Sequence, residues 1–261
     1  MERNLKKEKD ISWVAPLPFK SPRRCLSDNK VQATNQLSLL RRSLEREPAM
    51  KQHFLTFMEK VFRNKHIEVA PPLKENEERW YMPTFGVYHP KKPGNIRVVF
   101  DSSAQHGGVS LNNVLLTGPD LNNTLLMFRK KAVAVTADIE QMFHCCLVKE
   151  EDRNFLRFLW FRDNNPYKNI IEYCMRVHVF RSSPSPAVAI YCFRQSRENG
   201  DPDVKQFVKR DFYVDDGLKS FPTVEAAVDL LKRPQDTLSE SNLRLHKIAS
   251  NYREVVEAFP A

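Results

Sequence analysis

The stretch Phe212-Tyr213-Val214-Asp215-Asp216-Gly217 places two adjacent carboxylates in a run of aromatic and β-branched residues. Such a run is typical of a strand, Gly217 permits a tight turn, and residues 218–221 can return as a second strand. The pattern therefore predicts a β-hairpin with Asp215 and Asp216 at its tip. Neighbouring aspartates are common in solvated turns, so this pair alone does not decide a function.

A third carboxylate, Asp138, ends another apolar run. Residues 132–137 are rich in valine and alanine and carry no charge, which predicts a buried strand that delivers Asp138 to the edge or end of a sheet. Burial of a strand that ends in a carboxylate is costly unless a cation or a hydrogen-bond donor meets that carboxylate.

Carboxylates on strands brought side by side match the chemistry of a nucleotide polymerase. Joining a nucleoside triphosphate to a 3′ hydroxyl builds negative charge on the transferring phosphate, and two magnesium ions can offset that charge. One ion activates the hydroxyl and the other holds the triphosphate, and both need hard oxygen ligands. Asp138, Asp215 and Asp216 are the ligands that the sequence offers.

Composition points to a globular, nucleic-acid-binding class. The chain has 261 residues, 41% hydrophobic content and a formal net charge of +9, which indicates a polyanionic partner. Nucleic acid is the first such partner and a membrane surface the second. Apolar stretches are shorter than a bilayer span and residues 1–10 are charged, so we expect an intracellular protein, cytoplasmic or nuclear. The five cysteines lack zinc or redox spacing and are predicted to be reduced thiols, mostly in the core.

The chain divides into a basic, proline-interrupted segment at 1–33 and a folded part from 34 to 261. We expect the first segment to be an extended arm. Two amphipathic helices then follow, and their predicted apolar stripes are Leu37, Leu40 and Leu44 in the first helix and Phe54, Phe57 and Val61 in the second. Near the C-terminal end Thr223 can cap a helix that Pro234 is expected to break or restart.

Residues 81–100 read as two strands joined by a basic turn that contains proline and glycine. Arg97 lies inside the second, apolar strand. A lone arginine there is usually a surface residue, but Lys91, Lys92 and Arg97 on one hairpin would also form a flexible cap for a triphosphate.

Several stretches, in this order, resemble the reverse transcriptase domain of BEL/Pao long-terminal-repeat retrotransposons. The matching stretches are Arg97-Val98-Val99-Phe100-Asp101, Ser110-Leu111-Asn112-Asn113, Leu116-Thr117-Gly118-Pro119-Asp120-Leu121, Ala137-Asp138-Ile139-Glu140-Gln141-Met142-Phe143, Leu156-Arg157-Phe158-Leu159-Trp160, Ser185-Pro186, Phe212-Tyr213-Val214-Asp215-Asp216-Gly217 and Leu243-Arg244-Leu245-His246-Lys247. The likeness runs from about residue 35 to the end of the chain. It implies an α+β fold of fingers and palm, in which helices back an antiparallel palm sheet, over 34–261. No thumb or ribonuclease H pattern is present.

The resemblance also implies roles for the catalytic residues. Asp138 matches the first catalytic aspartate, Asp215 and Asp216 match the pair on the palm hairpin, and these three would bind two Mg²⁺ ions, for which Mn²⁺ can substitute. Ile139 matches the position whose backbone contributes to metal and triphosphate binding. Phe143 matches the aromatic steric gate that favours deoxyribonucleotides, although an aromatic ring at that position is also compatible with plain core.

Further positions match nucleotide-binding residues of the family. Arg97 matches the fingers arginine that contacts the triphosphate, and either Lys91 or Lys92 matches the fingers lysine. Phe180 lies where retroviral enzymes carry a glutamine that packs on the incoming nucleotide, and Lys247 lies near the lysine proposed as a general acid. The implied partners are a primer-template duplex of RNA and DNA and deoxynucleoside triphosphates.

The chain departs from the family pattern at Arg181, where the family has glycine directly after the phenylalanine. Glycine is used where the backbone adopts a positive φ or approaches a ligand closely. Segments 121–130 and 197–204 are also shorter than in the family. The sequence therefore leaves three hypotheses: an RNA-directed DNA polymerase core, a catalytically inactive remnant that only binds nucleic acid, and a scaffold protein that inherited the fold.

Overall fold

The computed structural model describes residues 6–7, 13–89, 92–118, 128, 130–195, 201–239 and 243–259. Tertiary contacts divide the chain into two compact units. Unit 1 contains Ala15–Leu116 and Leu147–Ser185, and unit 2 contains Thr117–Cys146 and Pro186–Ala261. Within the described residues, no helix has both the length and the apolar composition needed to cross a bilayer.

The structure is a mixture of helices and antiparallel strands. The helices are α1 Lys30–Arg46, α2 Pro48–Arg63, α3 Leu111–Val114, α4 Ser185–Gln195, α5 Pro202–Arg210, α6 Val224–Ser239 and α7 Arg253–Glu257. The strands are β1 Lys6–Lys7, β2 Trp13–Ala15, β3 Ile67–Val69, β4 Thr84–His89, β5 Lys92–Phe100, β6 Val133–Ile139, β7 Cys146–Val148, β8 Arg157–Phe161, β9 Ile170–Met175, β10 Phe212–Tyr213, β11 Asp216–Phe221 and β12 Leu245–Ser250.

Unit 1 packs α1 and α2 with a β3-β9-β8 sheet and the β4-β5 hairpin. The predicted stripe of α1 is confirmed, because Leu37, Leu40 and Leu44 are all buried. In α2 the buried residues are Phe54, Met58 and Val61, whereas Phe57 is only partly buried. Both Phe57 and Met58 fall near the predicted helical stripe, and in the packed helix Met58 rather than Phe57 is the buried residue.

Strand β8 begins at Arg157, directly after a 3₁₀ helix over 150–156. All five residues of β8 are buried, and one of them is a cation. The Arg157 guanidinium donates to Glu172 Oε2 at 2.9 Å, to the Pro71 carbonyl at 2.6 Å and to Asn154 Oδ1 at 2.7 Å. A buried arginine is stable only with such partners.

Unit 2 is built on a four-stranded antiparallel sheet with the order β10-β11-β6-β12. In β6, buried and partly exposed residues alternate, and Val133, Val135, Ala137 and Ile139 face the core. The helices α4, α5 and α6 supply the other side of that core through Phe193, Phe207, Leu231 and neighbouring apolar residues. The opposite face of β6 carries Ala134, Thr136 and Asp138, which are only partly buried, and we call it the open face of the sheet.

Two regions differ from the sequence-based expectation. Within the predicted arm at 1–33, Leu17 and Leu26 are buried in the unit 1 core and α1 already begins at Lys30. Helix α6 continues through Pro234 to Ser239, so the predicted break is wrong. The apolar face of α6 packs into the unit 2 core, and this packing outweighs the poor helix propensity of proline. The shortened segments 121–130 and 197–204 lie largely outside the described residues.

Candidate active site

The predicted hairpin is confirmed. Strands β10 and β11 pair with Phe212 opposite Gly217 and Tyr213 opposite Asp216, which leaves Val214 and Asp215 as a two-residue loop. Val214 adopts a left-handed backbone with φ 56°. A β-branched residue rarely adopts this conformation, and such outliers concentrate at functional sites.

Gly217 has a different role from the one expected. The left-handed position of the turn is Val214, and Gly217 is needed because the Phe212 ring lies directly over it. A Cβ atom at Gly217 would lie 2.8 Å from Phe212 Cζ. That ring is held by Phe193 and Phe207, with centroid distances of 4.8 and 5.1 Å, so it has little room to move.

The sheet brings the three predicted aspartates together. Strand β11 pairs with β6 so that Asp216 lies directly opposite Asp138. Asp215 is tied to the same place, because the Ile139 N–H donates to the Asp215 carbonyl at 2.9 Å. Residues that are directly opposite in an antiparallel pair share one face of the sheet. The carboxylates of Asp138 and Asp216 therefore lie on the open face, at the end of β6.

The electrostatics of the cluster reflect its like charges. Burial raises the pKa of Asp215, and the negative charges of Asp138 and Asp216 raise it further. Partial burial and the charge of Asp138 likewise raise the pKa of Asp216. The ammonium group of Lys247 opposes both shifts. Ionised carboxylates held this close favour the binding of a cation.

Strand β12 supplies two cationic or protonatable side chains. His246 lies opposite Asp138 on the other side of β6, and its Nε2 is 3.2 Å from Asp138 Oδ2. Lys247 Nζ donates to the same oxygen at 2.6 Å. Consecutive residues of a regular strand point to opposite faces, but β12 has a bulge between His246 and Ala249, where Lys247 is left-handed with φ 49°. The bulge allows both side chains to reach Asp138.

His246 was missed by the sequence-based prediction, although it lies in a matched stretch beside Lys247. Its contact depends on the register of β12 against β6. An imidazole directly before the predicted lysine was the one signal that could have pointed to it.

The donor set fits a hard cation, since it consists of carboxylate oxygens. In the part of the chain that the structure describes, no three histidine, cysteine, aspartate or glutamate side chains are arranged to hold a metal ion. Oδ2 of Asp138 instead accepts a hydrogen bond from Lys247, and the His246 imidazole lies within ion-pair distance of the same oxygen. Coordination of a metal through Oδ2 would therefore compete with these contacts.

Two other predicted residues lie close to the cluster in the chain. Ile139 is 1% exposed and its N–H already donates to the Asp215 carbonyl, so its role in metal and triphosphate binding stays a prediction. Phe143 lies in a 3₁₀ helix, Met142–Cys145, and is partly buried against the unit 2 core. The steric-gate role of Phe143 stays a prediction.

The predicted nucleotide-binding residues of unit 1 form a separate group. Arg97 and Phe180 are both exposed, and the Arg97 guanidinium carbon lies 5.1 Å from the centroid of the Phe180 ring. This distance is typical of a cation–π contact. Lys91 lies outside the described residues, and only the backbone of Lys92, in β5, is described.

Arg181, where the family has glycine, adopts a left-handed backbone with φ 70°. The conformation expected at a family glycine is thus present, although the residue is an arginine. Asn112 contacts the backbone on both sides of this position: its Nδ2 donates to the Arg181 carbonyl and its Oδ1 accepts from the Ser183 N–H, each at 2.9 Å.

No protein-family model matches the chain, and no curated protein matches it. Among solved structures, the chain is similar to a foamy viral protease-reverse transcriptase, solved in complex with double-stranded DNA, with a TM-score of 0.56 and 15% sequence identity. The match covers 92% of this chain and 34% of the foamy viral chain. The chain therefore has a reverse transcriptase-like fold and spans about a third of the length of that solved chain.

Proposed function

We propose that the chain is the core of an RNA-directed DNA polymerase from a BEL/Pao-type retrotransposon, in which unit 1 corresponds to fingers and unit 2 to palm. The observation that carries this proposal is the meeting of Asp138, Asp215 and Asp216 at one end of the unit 2 sheet. Asp138 is far in sequence from the adjacent pair Asp215 and Asp216, and the like charges of the three are costly together unless a cation binds.

In this proposal, Asp138, Asp215, Asp216 and the backbone of Ile139 hold two Mg²⁺ ions, or Mn²⁺ in their place. The ions would supply charge neutralisation at the transferring phosphate and activation of the 3′ hydroxyl. Lys247 carries protons at Nζ beside Asp138 and acts as general acid toward the leaving pyrophosphate. His246 contacts the Asp138 carboxylate and helps to orient it.

The substrates are a primer-template duplex and deoxynucleoside triphosphates. Arg97 and one of Lys91 and Lys92 bind the triphosphate, Phe180 packs on the nucleotide, and Phe143 excludes a ribose 2′ hydroxyl. The net charge of +9 supports an interaction with the phosphate backbone of the duplex. With these substrates, we propose a cytoplasmic or nuclear location for the chain.

A second candidate function is nucleic-acid binding without catalysis. Two observations favour it: Arg181 holds a left-handed conformation that suits glycine, and Asp138 is engaged by Lys247. In this alternative the chain is an inactive retrotransposon remnant that keeps the basic surface of the fold.

Primer extension tests the first proposal. We expect the purified chain to extend oligo(dT) on poly(rA) with Mg²⁺ or Mn²⁺, and we expect Asp215→Asn to reduce incorporation at least about 1000-fold, because a metal ligand is lost. Asp229→Asn is the matched control, since Asp229 is an exposed aspartate on α6 outside the cluster. Incorporation by Asp229→Asn should equal that of the unaltered chain.

The outcome separates the two functions. A folded protein that incorporates no nucleotide, but whose nucleic-acid affinity falls steeply with salt, supports the binding-only alternative. Equal incorporation by the unaltered chain and by Asp215→Asn would assign the activity to some other group and sink the polymerase proposal.

A further inference from the structure

The matched stretch Ser110-Leu111-Asn112-Asn113 has no role in the proposed chemistry, yet its two asparagines are both engaged. Asn113 forms a capping box with Ser110 that fixes the short helix α3. Asn112 is held in place by its own N–H, which donates to the Ser102 carbonyl at 3.0 Å. The side chain of Asn112 is thereby presented to the 180–183 segment from a fixed position.

The Asn112 carboxamide acts on that segment at two points. Nδ2 donates to the carbonyl of Arg181, and Oδ1 accepts from the N–H of Ser183. Both bonds are 2.9 Å long and join parts of the chain about 70 residues apart. A single side chain that bonds both the acceptor and the donor of a turn fixes the backbone direction between them.

Arg181 is the residue that needs this clamp. Its φ of 70° is unfavourable for a side chain with a Cβ, so a free segment would return to a right-handed or extended conformation. Phe180 directly precedes Arg181, and a change at Arg181 would turn the Phe180 ring away from its present position. The ring is 43% exposed and has the Arg97 guanidinium over its face.

An exposed aromatic ring beside a guanidinium suits a nucleotide, because the ring stacks on a base and the cation binds phosphate. We propose that Asn112 is a positioning residue, which sets Phe180 for the incoming deoxynucleotide by clamping the backbone around the left-handed Arg181. This inference rests on the proposed function for the identity of the ligand. The clamp itself rests on the two hydrogen bonds alone.

Steady-state kinetics provide the first test. Asn112→Ala removes both hydrogen bonds, and we expect the KM for deoxynucleoside triphosphate to rise about 5- to 10-fold while kcat changes less than about 2-fold. Arg181→Gly makes the left-handed conformation favourable without a clamp. The double variant Asn112→Ala/Arg181→Gly should therefore return the KM to within about 2-fold of Arg181→Gly alone.

The control is an asparagine with the same kind of contact elsewhere. Asn251 Oδ1 accepts from the Ala134 N–H at 2.7 Å, and its Nδ2 donates to the Ala132 carbonyl at 2.9 Å, at the beginning of β6. Asn251→Ala should lower stability about as much as Asn112→Ala and leave the KM unchanged. A KM that rises equally in both variants, or that Arg181→Gly fails to restore, overturns the positioning role.

Two readouts need no catalysis. Hydrogen exchange at the Ser183 amide should accelerate in Asn112→Ala, because that amide loses its acceptor.

Equilibrium dialysis with a deoxynucleoside triphosphate, Ca²⁺ and a dideoxy-terminated primer-template should show that Asn112→Ala binds the nucleotide about 5- to 10-fold more weakly than the unaltered chain. If the unaltered chain binds nucleotide but incorporates none, the polymerase proposal fails. The nucleotide affinity of Asn112→Ala relative to the unaltered chain still tests the positioning role of Asn112. An unchanged affinity in Asn112→Ala, or no nucleotide binding by the unaltered chain, overturns it.

Discussion

Unit 1 and unit 2 each contain a cluster of charged side chains, but the two clusters differ in how fully their charges are paired. In unit 1 the buried Arg157 is paired with Glu172, and Glu172 also accepts from Lys30 and Tyr81. Although burial raises the pKa of Glu172, these donors hold it below its ordinary value. In unit 2, Asp138, Asp215 and Asp216 share one end of a sheet, where the described residues supply the ammonium group of Lys247 against three carboxylates.

The difference separates a structural network from a functional one. The Arg157 network is complete within the chain, so it stabilises the fold and offers nothing to a ligand. In the aspartate cluster the pKa values of Asp215 and Asp216 are raised, and Lys247 is the one lysine or arginine that the described residues place within ion-pair distance of Asp138. A cluster of this kind gains stability when an external cation binds.

The largest expected effect is on the unit 1 network. Arg157→Ala removes the buried cation, so that Glu172 loses one of its three donors and Asn154 Oδ1 loses its donor, and we expect the free energy of unfolding to fall by about 3–5 kcal/mol. Urea unfolding followed by circular dichroism measures this change. Arg162→Ala, at an exposed arginine five residues later, should change it by less than about 0.5 kcal/mol. Similar losses in both variants would show that the network is not structural.

The next effect is on pH dependence in unit 1. His178 is 1% exposed, and burial lowers its pKa to about 4. The unfolded chain binds a proton at His178 below about pH 6.5 and the folded chain does not, so stability is complete above that pH and falls as the pH decreases toward 4. This one group should contribute a loss of about 2–3 kcal/mol over that range.

His178→Gln isolates this contribution. The variant has no proton to bind at this position, so the fall in unfolding free energy between pH 7 and pH 4.5 should be smaller than in the unaltered chain by about 2 kcal/mol. His66, whose pKa burial also lowers to about 4, is the group expected to account for part of the remaining fall. A variant with the unaltered pH profile would mean that His178 is protonated in the folded protein.

A smaller effect should appear in unit 2 when divalent cations are added. At ten times its dissociation constant, a cation that binds only the folded state raises the unfolding free energy by about 1.4 kcal/mol. We expect Mg²⁺ or Mn²⁺ to stabilise the unaltered chain and Asp229→Asn in this way, and to leave Asp215→Asn unchanged. Without divalent cations, Asp215→Asn should be slightly more stable than the unaltered chain, because a repulsive charge is gone.

Thermal unfolding with and without the cation measures these shifts. An equal shift in Asp215→Asn would place the cation elsewhere on the chain. The contrast between the two units would then disappear, since neither charged network would require an external partner.

The sequence predicted those parts of the site that depend on local pattern. The β10-β11 hairpin follows from an aromatic and β-branched run with a turn, and β6 follows from an uncharged valine and alanine run. The meeting of Asp138 with Asp215 and Asp216 followed from chemistry, because one reaction needs all three ligands. The resemblance, rather than local pattern, implied that the position of Arg181 suits a glycine, and its φ of 70° agrees.

Features that depend on tertiary register could not be predicted. His246 reaches Asp138 only through the pairing of β12 with β6. Lys247 reaches it through a bulge that has no recognisable pattern in the sequence. The burial of Arg157 depends on Glu172, which lies 15 residues away on β9 and is brought to it by strand pairing. Asn112 belonged to a matched stretch without a role, since the backbone it bonds is about 70 residues distant.

The smallest expected effect concerns Arg181 of unit 1, a cation that belongs neither to the Arg157 network nor to the aspartate cluster. A left-handed arginine costs about 1 kcal/mol or somewhat more relative to glycine, so replacement by glycine relieves that strain. The greater freedom of glycine in the unfolded chain offsets part of the resulting gain in stability. Arg181→Gly should therefore raise the unfolding free energy by up to about 1 kcal/mol. It should also raise incorporation, because the family pattern has no side chain at this position.

Lys65 is the matched control, since it is another exposed cation of unit 1 with a left-handed backbone, at φ 55°. Lys65→Gly relieves the same kind of strain away from Phe180, so it should raise stability by a similar amount and leave incorporation unchanged. If both variants raise incorporation equally, the gain comes from stability alone. If only Arg181→Gly does so, the arginine side chain itself limits the reaction, and unit 1 then contributes to catalysis through the 180–183 segment rather than through its buried network.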